Sequence, residues 1–214
     1  MISRPVRRGT DGWWFVGFVV LVLIGSALVS LPDSADPPAK ISAFYDAHRT
    51  AVVVTQLFGL AGSVVLLRVL ALLRSEGGPG GRALTSAGLL VVITNVLTAV
   101  PILVLALATG LGPDGTSSAA KWADVADDAL FGAIALFAGA LAVRFRLGWL
   151  RISAGIVAVL CAVRGLGGPL GLTAVDVVAP LGFLLLMLAI GTRLLARPGP
   201  LSSTDPSSAE LDSS

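Results

Sequence analysis

The sequence predicts an all-α membrane protein, a bundle of six transmembrane helices with both termini in the cytoplasm. Three observations lead to this fold class. Hydrophobic residues make up 55% of the 214 residues and charged residues 13%, whereas an ordinary soluble domain is about a quarter charged. Apolar runs of about 20 residues, the length that a helix needs to cross a bilayer, recur along the chain. Finally, most basic residues lie at alternate ends of these runs.

The apolar runs are too long for barrel strands, and they lack the period-2 alternation of an outer-membrane barrel. The predicted spans cover about 13–31, 51–73, 85–110, 126–144, 149–167 and 174–196. A cleaved signal peptide is the alternative for the first span, because Arg7 and Arg8 precede its apolar stretch. Cleavage would leave five spans and an N-terminus outside the cell. The stretch is longer than the usual 7–15 residues or so of a signal peptide, which favours a retained helix.

The segments between the spans contain the residues that end helices. The stretches 32–40, 75–82 and 111–118 are rich in proline, glycine and charge. The short connection between the fourth and fifth spans predicts a tight antiparallel hairpin. We therefore expect a cytoplasmic N-terminal segment over 1–12, one transmembrane domain over 13–196, and a disordered cytoplasmic tail over 197–214.

Orientation follows from the basic residues, since Lys and Arg are retained on the cytoplasmic side of a membrane. With the N-terminus inside, the cytoplasmic side holds Arg4, Arg7, Arg8, Arg68, Arg74, Arg82, Arg144, Arg146, Arg151, Arg193 and Arg197. The outer side holds Lys40, Arg49, Lys121 and Arg164. Tryptophan is common at membrane–water boundaries, and all four tryptophans lie beside a predicted boundary: Trp13, Trp14, Trp122 and Trp149.

Polar residues inside the spans predict which helix faces are turned away from lipid. One stripe comprises His48, Thr55, Gln56, Gly59 and Ser63, and a second comprises Thr94, Asn95, Thr98 and Pro101. Gln56 and Thr98 are expected at similar depth in the outer half, close enough to hydrogen-bond if the stripes face each other. Such stripes either join two helices by small and amide side chains or line a pocket for a solute. The sequence is compatible with both interpretations.

Charged residues collect at the predicted outer ends of the helices. Asp124, Asp127 and Asp128 share one helix face, Arg164 ends the fifth span, and Asp176 opens the sixth. We expect Arg164 to pair with Asp176 or with Asp127/Asp128. The alternatives are solvated aspartates, an Asp176 that stabilises a helix start, and an Arg164 that extends to the lipid headgroups. The candidate polar vestibule comprises His48, Arg49, Gln56, Asn95, Thr98, Asp127, Asp128, Arg164 and Asp176.

The composition excludes several chemistries. A single cysteine, Cys161, allows no intrachain disulfide or multi-thiolate metal site, and a single histidine allows no bis-histidine haem. The sequence therefore indicates no catalytic residue, cofactor or metal, and an enzyme is not expected. A net charge of +2 argues against a nucleic-acid partner.

These observations favour a structural or interaction subunit of the bacterial inner membrane. Its partners would be the lipid bilayer and either other membrane proteins or further copies of itself. The small residues Gly59 and Ser63, and Ala135 and Gly139, lie at helix-packing spacing, and the Gly- and Ala-rich composition resembles that of bacterial multi-pass proteins. The alternative is a transporter or solute-binding subunit with an outward-facing polar pocket. No charge lies in the middle third of a predicted span, which argues against an ion-coupled pump that uses an intramembrane carboxylate.

Overall fold

The computed structural model describes residues 11–75, 80–108, 110–145, 148–167 and 173–196. Within these ranges lie six helices: α1 (Gly12–Leu28), α2 (Pro38–Ser75), α3 (Gly81–Leu107), α4 (Pro113–Arg144), α5 (Gly148–Gly167) and α6 (Thr173–Ala196). The described ranges contain no strand, so the predicted all-α fold class is confirmed. The expected tail and all but the last two residues of the expected N-terminal segment lie outside the described residues.

Five of the described helices, α2 to α6, are long and apolar enough to cross a membrane, as in a multi-pass membrane protein. Helix α1 is apolar but has only 17 residues. At 1.5 Å per residue it is about 26 Å long, slightly less than the ~30 Å thickness of the hydrocarbon core. Its crossing of the membrane therefore stays a prediction.

Helices α2 and α4 begin well before the spans predicted at 51 and 126. Proline suits the first turn of a helix, where its missing N–H costs nothing, and the two helices begin at Pro38 and Pro113. Their N-terminal parts form a separate apolar core with the end of α3. We call this end of the bundle the outer end, after the orientation that the sequence predicts. The buried members of this outer core are Ile41, Tyr45, Val52, Ile102, Leu105, Ala106 and Ala120.

Helix α2 is interrupted at His48, whose φ of −117° and ψ of 17° are not helical. The outer part of α2 is thereby separated from its membrane-spanning part. No such break occurs at the two internal prolines within the described helices, since α3 continues through Pro101 and α6 through Pro180.

The helices form a closed ring in which each packs against its neighbours in the chain, and α1 packs against α6. Glycines permit the closest approaches within this ring. A Cβ atom at Gly191 of α6 would lie 2.7 Å from the Cβ of Phe15 in α1. A Cβ atom at Gly165 of α5 would lie 2.8 Å from the backbone oxygen of Asp128 in α4. Because real Cβ atoms do not approach so closely, a larger residue at either position would force the two helices apart.

The main apolar core is formed by side chains from all six helices inside the ring. Its largest fully buried side chains include Phe15, Leu66, Phe137, Leu141 and Met187. Large apolar side chains also cover the outside of the bundle, and the four tryptophans are all among the exposed ones. An apolar exterior around an apolar core suits a lipid solvent, in which the surface has no reason to be polar.

Candidate functional site

A cavity of about 330 Å³, which we call the inner cavity, lies inside the ring of helices. Its wall is formed by five of the helices, since α5 contributes no lining residue. The polar lining residues are Ser26, Thr55, Gln56, Ser63, Asn95, Thr98 and Asp127. The aromatic ones are Phe18, Phe131 and Phe183. A volume of this size and a mostly apolar wall with a few polar groups are typical of small-molecule sites.

Parts of the two polar stripes predicted on α2 and α3 line this cavity, namely Thr55, Gln56, Gly59 and Ser63 from α2 and Asn95 and Thr98 from α3. Asn95 Nδ2 donates hydrogen bonds to the backbone oxygen of Gly59, at 3.2 Å, and to Ser63 Oγ, at 2.8 Å. Gln56 and Thr98, which the sequence placed at similar depth, both line this cavity, and no hydrogen bond joins them among the described residues. Thr98 Oγ1 instead donates to the backbone oxygen of Thr94, one turn back in its own helix, at 2.9 Å.

Thr55 gives the cavity wall an unsatisfied polar atom. Its Oγ1 is buried and has no hydrogen-bond partner among the described residues. A buried hydroxyl without a partner costs roughly 1–3 kcal/mol, so such atoms usually have a partner in the working molecule. Thr55 Oγ1 is therefore a position where a bound molecule can be recognised.

Arg164 joins three helices by contacting three carboxylates. Its Nη1 lies 2.9 Å from Asp128 Oδ1 and its Nη2 lies 3.0 Å from Asp127 Oδ2, both in hydrogen-bond geometry. Its Nε lies 2.6 Å from Asp176 Oδ1, as an ion pair without hydrogen-bond geometry. The Arg164 side chain is only 18% exposed. The pairing that the sequence predicted is thus present, and it includes both alternative partners.

The position of Arg164 follows from the close packing of α5 on α4. Gly165, the next residue, lies directly against the backbone of Asp128 and Gly132. The guanidinium group lies 5.1 Å from the ring centre of Phe131, which is within cation–π distance. The arginine is therefore held on one side by an aromatic face and on the other by carboxylates.

Another cavity, of about 240 Å³, lies at the outer end of the bundle, and we call it the outer cavity. Its wall includes Ser34 from the connection between α1 and α2, Tyr45 from the outer part of α2, and Asp124 and Asp127 from α4. Ser34 Oγ donates a hydrogen bond to Asp124 Oδ2. Asp127 lines this outer cavity and the inner one, so the two cavities share a charged residue.

Two residues of the predicted vestibule, His48 and Arg49, belong neither to the cavity walls nor to the ion pairs of Arg164. The His48 ring stacks on Phe44, with 4.5 Å between ring centres, and its Nδ1 lies 3.0 Å from the backbone oxygen of Phe44. Arg49 Nη2 lies 3.3 Å from Asp46 Oδ1 in an exposed pair. Neither His48 nor Arg49 lines either cavity.

The aromatic wall of the inner cavity was missed by the sequence-based selection of site residues. The sequence could have indicated Phe131, because this residue follows Asp127 by four positions and must share its helix face. Phe18 and Phe183 come from α1 and α6, and only the closure of the ring brings them together, with 6.0 Å between their ring centres.

The groups on the cavity wall can contact a small molecule through charge, hydrogen bonds and aromatic rings. One carboxylate, several hydroxyl and amide groups and three aromatic rings line this cavity. Among the described residues, no group of three or more histidine, cysteine, aspartate or glutamate side chains is arranged to hold a metal ion. Comparison with known protein families, with curated proteins and with solved structures finds no match to this chain.

Proposed function

We propose that this chain is a solute-binding or transport subunit of the bacterial inner membrane, whose cavity opens toward the outer side. The observation that carries this proposal is the position of Asp127 on the wall of both the inner and the outer cavity. A solute that enters the outer cavity would meet this residue before it reaches the polar wall formed by α2 and α3.

The outward direction rests on the distribution of basic residues. Eleven of the fifteen lie on the side that also holds both termini, if α1 crosses the membrane as the sixth span. Asp124, Asp127 and Asp176 then lie toward the outside of the cell. The proposal of a bacterial inner membrane rests on the Gly- and Ala-rich composition, which resembles that of bacterial multi-pass proteins.

The structural-subunit function favoured by the sequence loses part of its support. Gly59 and Ser63 were expected to pack against a partner, but both accept hydrogen bonds from Asn95 inside the chain. Gly59, Ser63 and Asn95 also line the cavity. Small residues at this position therefore support an internal polar wall better than a contact with another protein.

Cysteine accessibility tests the proposal with a matched pair of positions. Gln56 lines the cavity, whereas the adjacent Leu57 is 59% exposed on the bundle surface and faces lipid. In a chain whose only cysteine has been changed by Cys161→Ala, we would add either Gln56→Cys or Leu57→Cys. Intact cells are then treated with a membrane-impermeant, positively charged methanethiosulfonate.

We expect modification of Gln56→Cys and little modification of Leu57→Cys, because both lie at the same depth and only one faces the cavity. An unmodified Gln56→Cys would contradict an outward-open cavity and leave the structural-subunit function as the better proposal. Equal modification of the two variants would show that the reagent does not distinguish the cavity from the lipid face.

A further inference from the structure

One end of the inner cavity lies beside a group of acidic side chains. Asp127 is the only ionisable side chain among the described lining residues. Its cationic partner Arg164 also contacts Asp128 and Asp176, so three carboxylates share one guanidinium group. This arrangement has a formal excess of two negative charges, and Asp124 on the outer cavity adds a further carboxylate. The charge balance at this end of the cavity favours a bound cation.

The rest of the cavity wall favours an apolar body. Phe18, Phe131 and Phe183 line it together with aliphatic side chains. The electron-rich faces of aromatic rings also attract cations, and Phe131 already has the Arg164 guanidinium group over one face. The cavity thus combines a negative end with an aromatic wall.

The polar groups on the wall can accept hydrogen bonds from an ammonium group. The Asn95 amide nitrogen already donates to α2, so its side-chain oxygen is the group left for a ligand. A hydroxyl also accepts hydrogen bonds, and Thr55 Oγ1 is buried without a partner among the described residues.

We propose that the inner cavity binds a small organic amine from the outer aqueous phase, with its ammonium group at Asp127 and its apolar body against the phenylalanine wall. This inference rests on the proposed solute-binding function and names the class of solute. An anionic solute would be repelled by the carboxylates. A bare divalent cation needs about six oxygen ligands, and this mostly apolar wall offers too few of them.

A panel of related compounds tests the charge and the apolar body separately. 2-Phenylethylamine carries both, 2-phenylethanol lacks the charge, phenylacetate has the opposite charge, and ethylamine lacks the ring. Binding to the purified full-length protein is measured by calorimetry and by the shift of melting temperature, in one detergent throughout. We expect saturable binding of 2-phenylethylamine, tighter by about tenfold or more than that of each other compound.

Three substitutions on α4 test which carboxylate attracts the ammonium group of the ligand. Asp127→Asn should weaken 2-phenylethylamine binding by about tenfold or more, because it removes the only charge among the described lining residues. Asp128→Asn also removes a partner of Arg164 but does not line the cavity, so its effect should be smaller. The matched control is Asp114→Asn, an exposed carboxylate in the first turn of α4, which should bind like the original protein.

A second measurement keeps the test valid if Asp127→Asn does not fold. 2-Phenylethylamine should slow the modification of Gln56→Cys in cells, and 2-phenylethanol at the same concentration should not. Equal protection and equal affinity for the amine, the alcohol and the acid would overturn the amine assignment and leave the solute-binding function standing. An inaccessible Gln56→Cys would instead remove the solute-binding function itself.

Discussion

Arg164 links three helices through one side chain. It comes from α5, two of its carboxylate partners come from α4, and the third comes from α6. This group of ion pairs is partly buried, because the side chain of Arg164 is 18% exposed and those of its partners are 29% to 46% exposed. Its energetic value should therefore lie between that of a surface pair and that of a buried pair.

Arg164→Ala should lower the free energy of unfolding by more than the ~1 kcal/mol of an exposed pair and by no more than the roughly 3–5 kcal/mol of a buried one. The control is Arg49→Ala, whose pair with Asp46 is exposed, with 43% and 71% of the two side chains accessible. Unfolding of the detergent-solubilised protein gives both values.

Double-mutant cycles identify the partner of Arg164 that matters most. The loss caused by Arg164→Ala should shrink when Asp127, Asp128 or Asp176 is also changed to Asn, because the uncompensated carboxylate is then gone. Additivity within about 0.5 kcal/mol for all three pairs would contradict a shared ion-pair network.

The sequence was sufficient to predict that Arg164 meets acidic residues, since antiparallel helices bring the outer ends of α4, α5 and α6 together. It could not predict that all three carboxylates would be reached at once. That result depends on the side-chain conformation of Arg164 and on the close approach at Gly165, which three-dimensional packing determines. The sequence also could not show which group the Thr98 hydroxyl would bond, because a threonine hydroxyl in a helix can bond its own backbone.

At the scale of helices, the contact between α4 and α5 depends on glycine. Gly165 lies against the α4 backbone, whereas a Cβ atom at Gly155 of the same helix would meet nothing within 4 Å. Gly165→Ala should lower stability by about 1–3 kcal/mol through overpacking. Gly155→Ala should leave stability unchanged or raise it by up to about 1 kcal/mol, since alanine is the better helix former.

Thermal unfolding of the two variants in one detergent compares them directly. The Gly165→Ala variant should also show weakened coupling between Arg164 and Asp128, because displacement of α5 moves the arginine. A Gly165→Ala protein as stable as the Gly155→Ala protein would mean that the helices are farther apart than the structure places them.

Hydrophobicity predicted the apolar parts of the helices well, because a stretch of about 20 apolar residues is an unambiguous signal. The outer parts of α2 and α4 were not predicted as helix. They are amphipathic rather than apolar, and prolines flank them, so they resemble connecting segments. The spacing of Ile41, Tyr45 and Val52 contained the missing signal, since these residues can share one buried helix face.

For the molecule as a whole, the predicted orientation is tested by single cysteines at Asp36, Gly80 and Asp205 in a Cys161→Ala chain. The excess of basic residues on one side predicts that Asp36→Cys lies outside and that the other two lie inside. A membrane-impermeant thiol reagent should therefore modify only Asp36→Cys in intact cells and all three after permeabilisation. Modification of Gly80→Cys in intact cells would reverse the orientation and, with it, the outward direction of the cavity.

The cavity itself was the least predictable feature of the whole molecule. The sequence indicated the polar faces of α2 and α3, and it left open whether these faces join two helices or line a pocket. The structure contains both arrangements: Asn95 bonds to α2, while Gln56 and Thr98 line an open volume. The volume exists because α1 and α6 complete the ring, a long-range contact that no local pattern specifies.

Because α1 packs against α6, the order of the helices along the chain can be changed without loss of a contact between neighbouring helices. Gly12, at the start of the first helix, packs against Gly191 near the end of the last. In a circular permutant, a flexible linker would join the original N- and C-termini, and the chain would begin within the 76–79 segment instead. Every contact between neighbouring helices would be retained in such a protein. On the proposed topology its new ends stay in the cytoplasm. Such a permutant should insert into the membrane and bind 2-phenylethylamine as the original protein does. That result would show that the contacts between helices, and not the order in which they are synthesised, determine the fold.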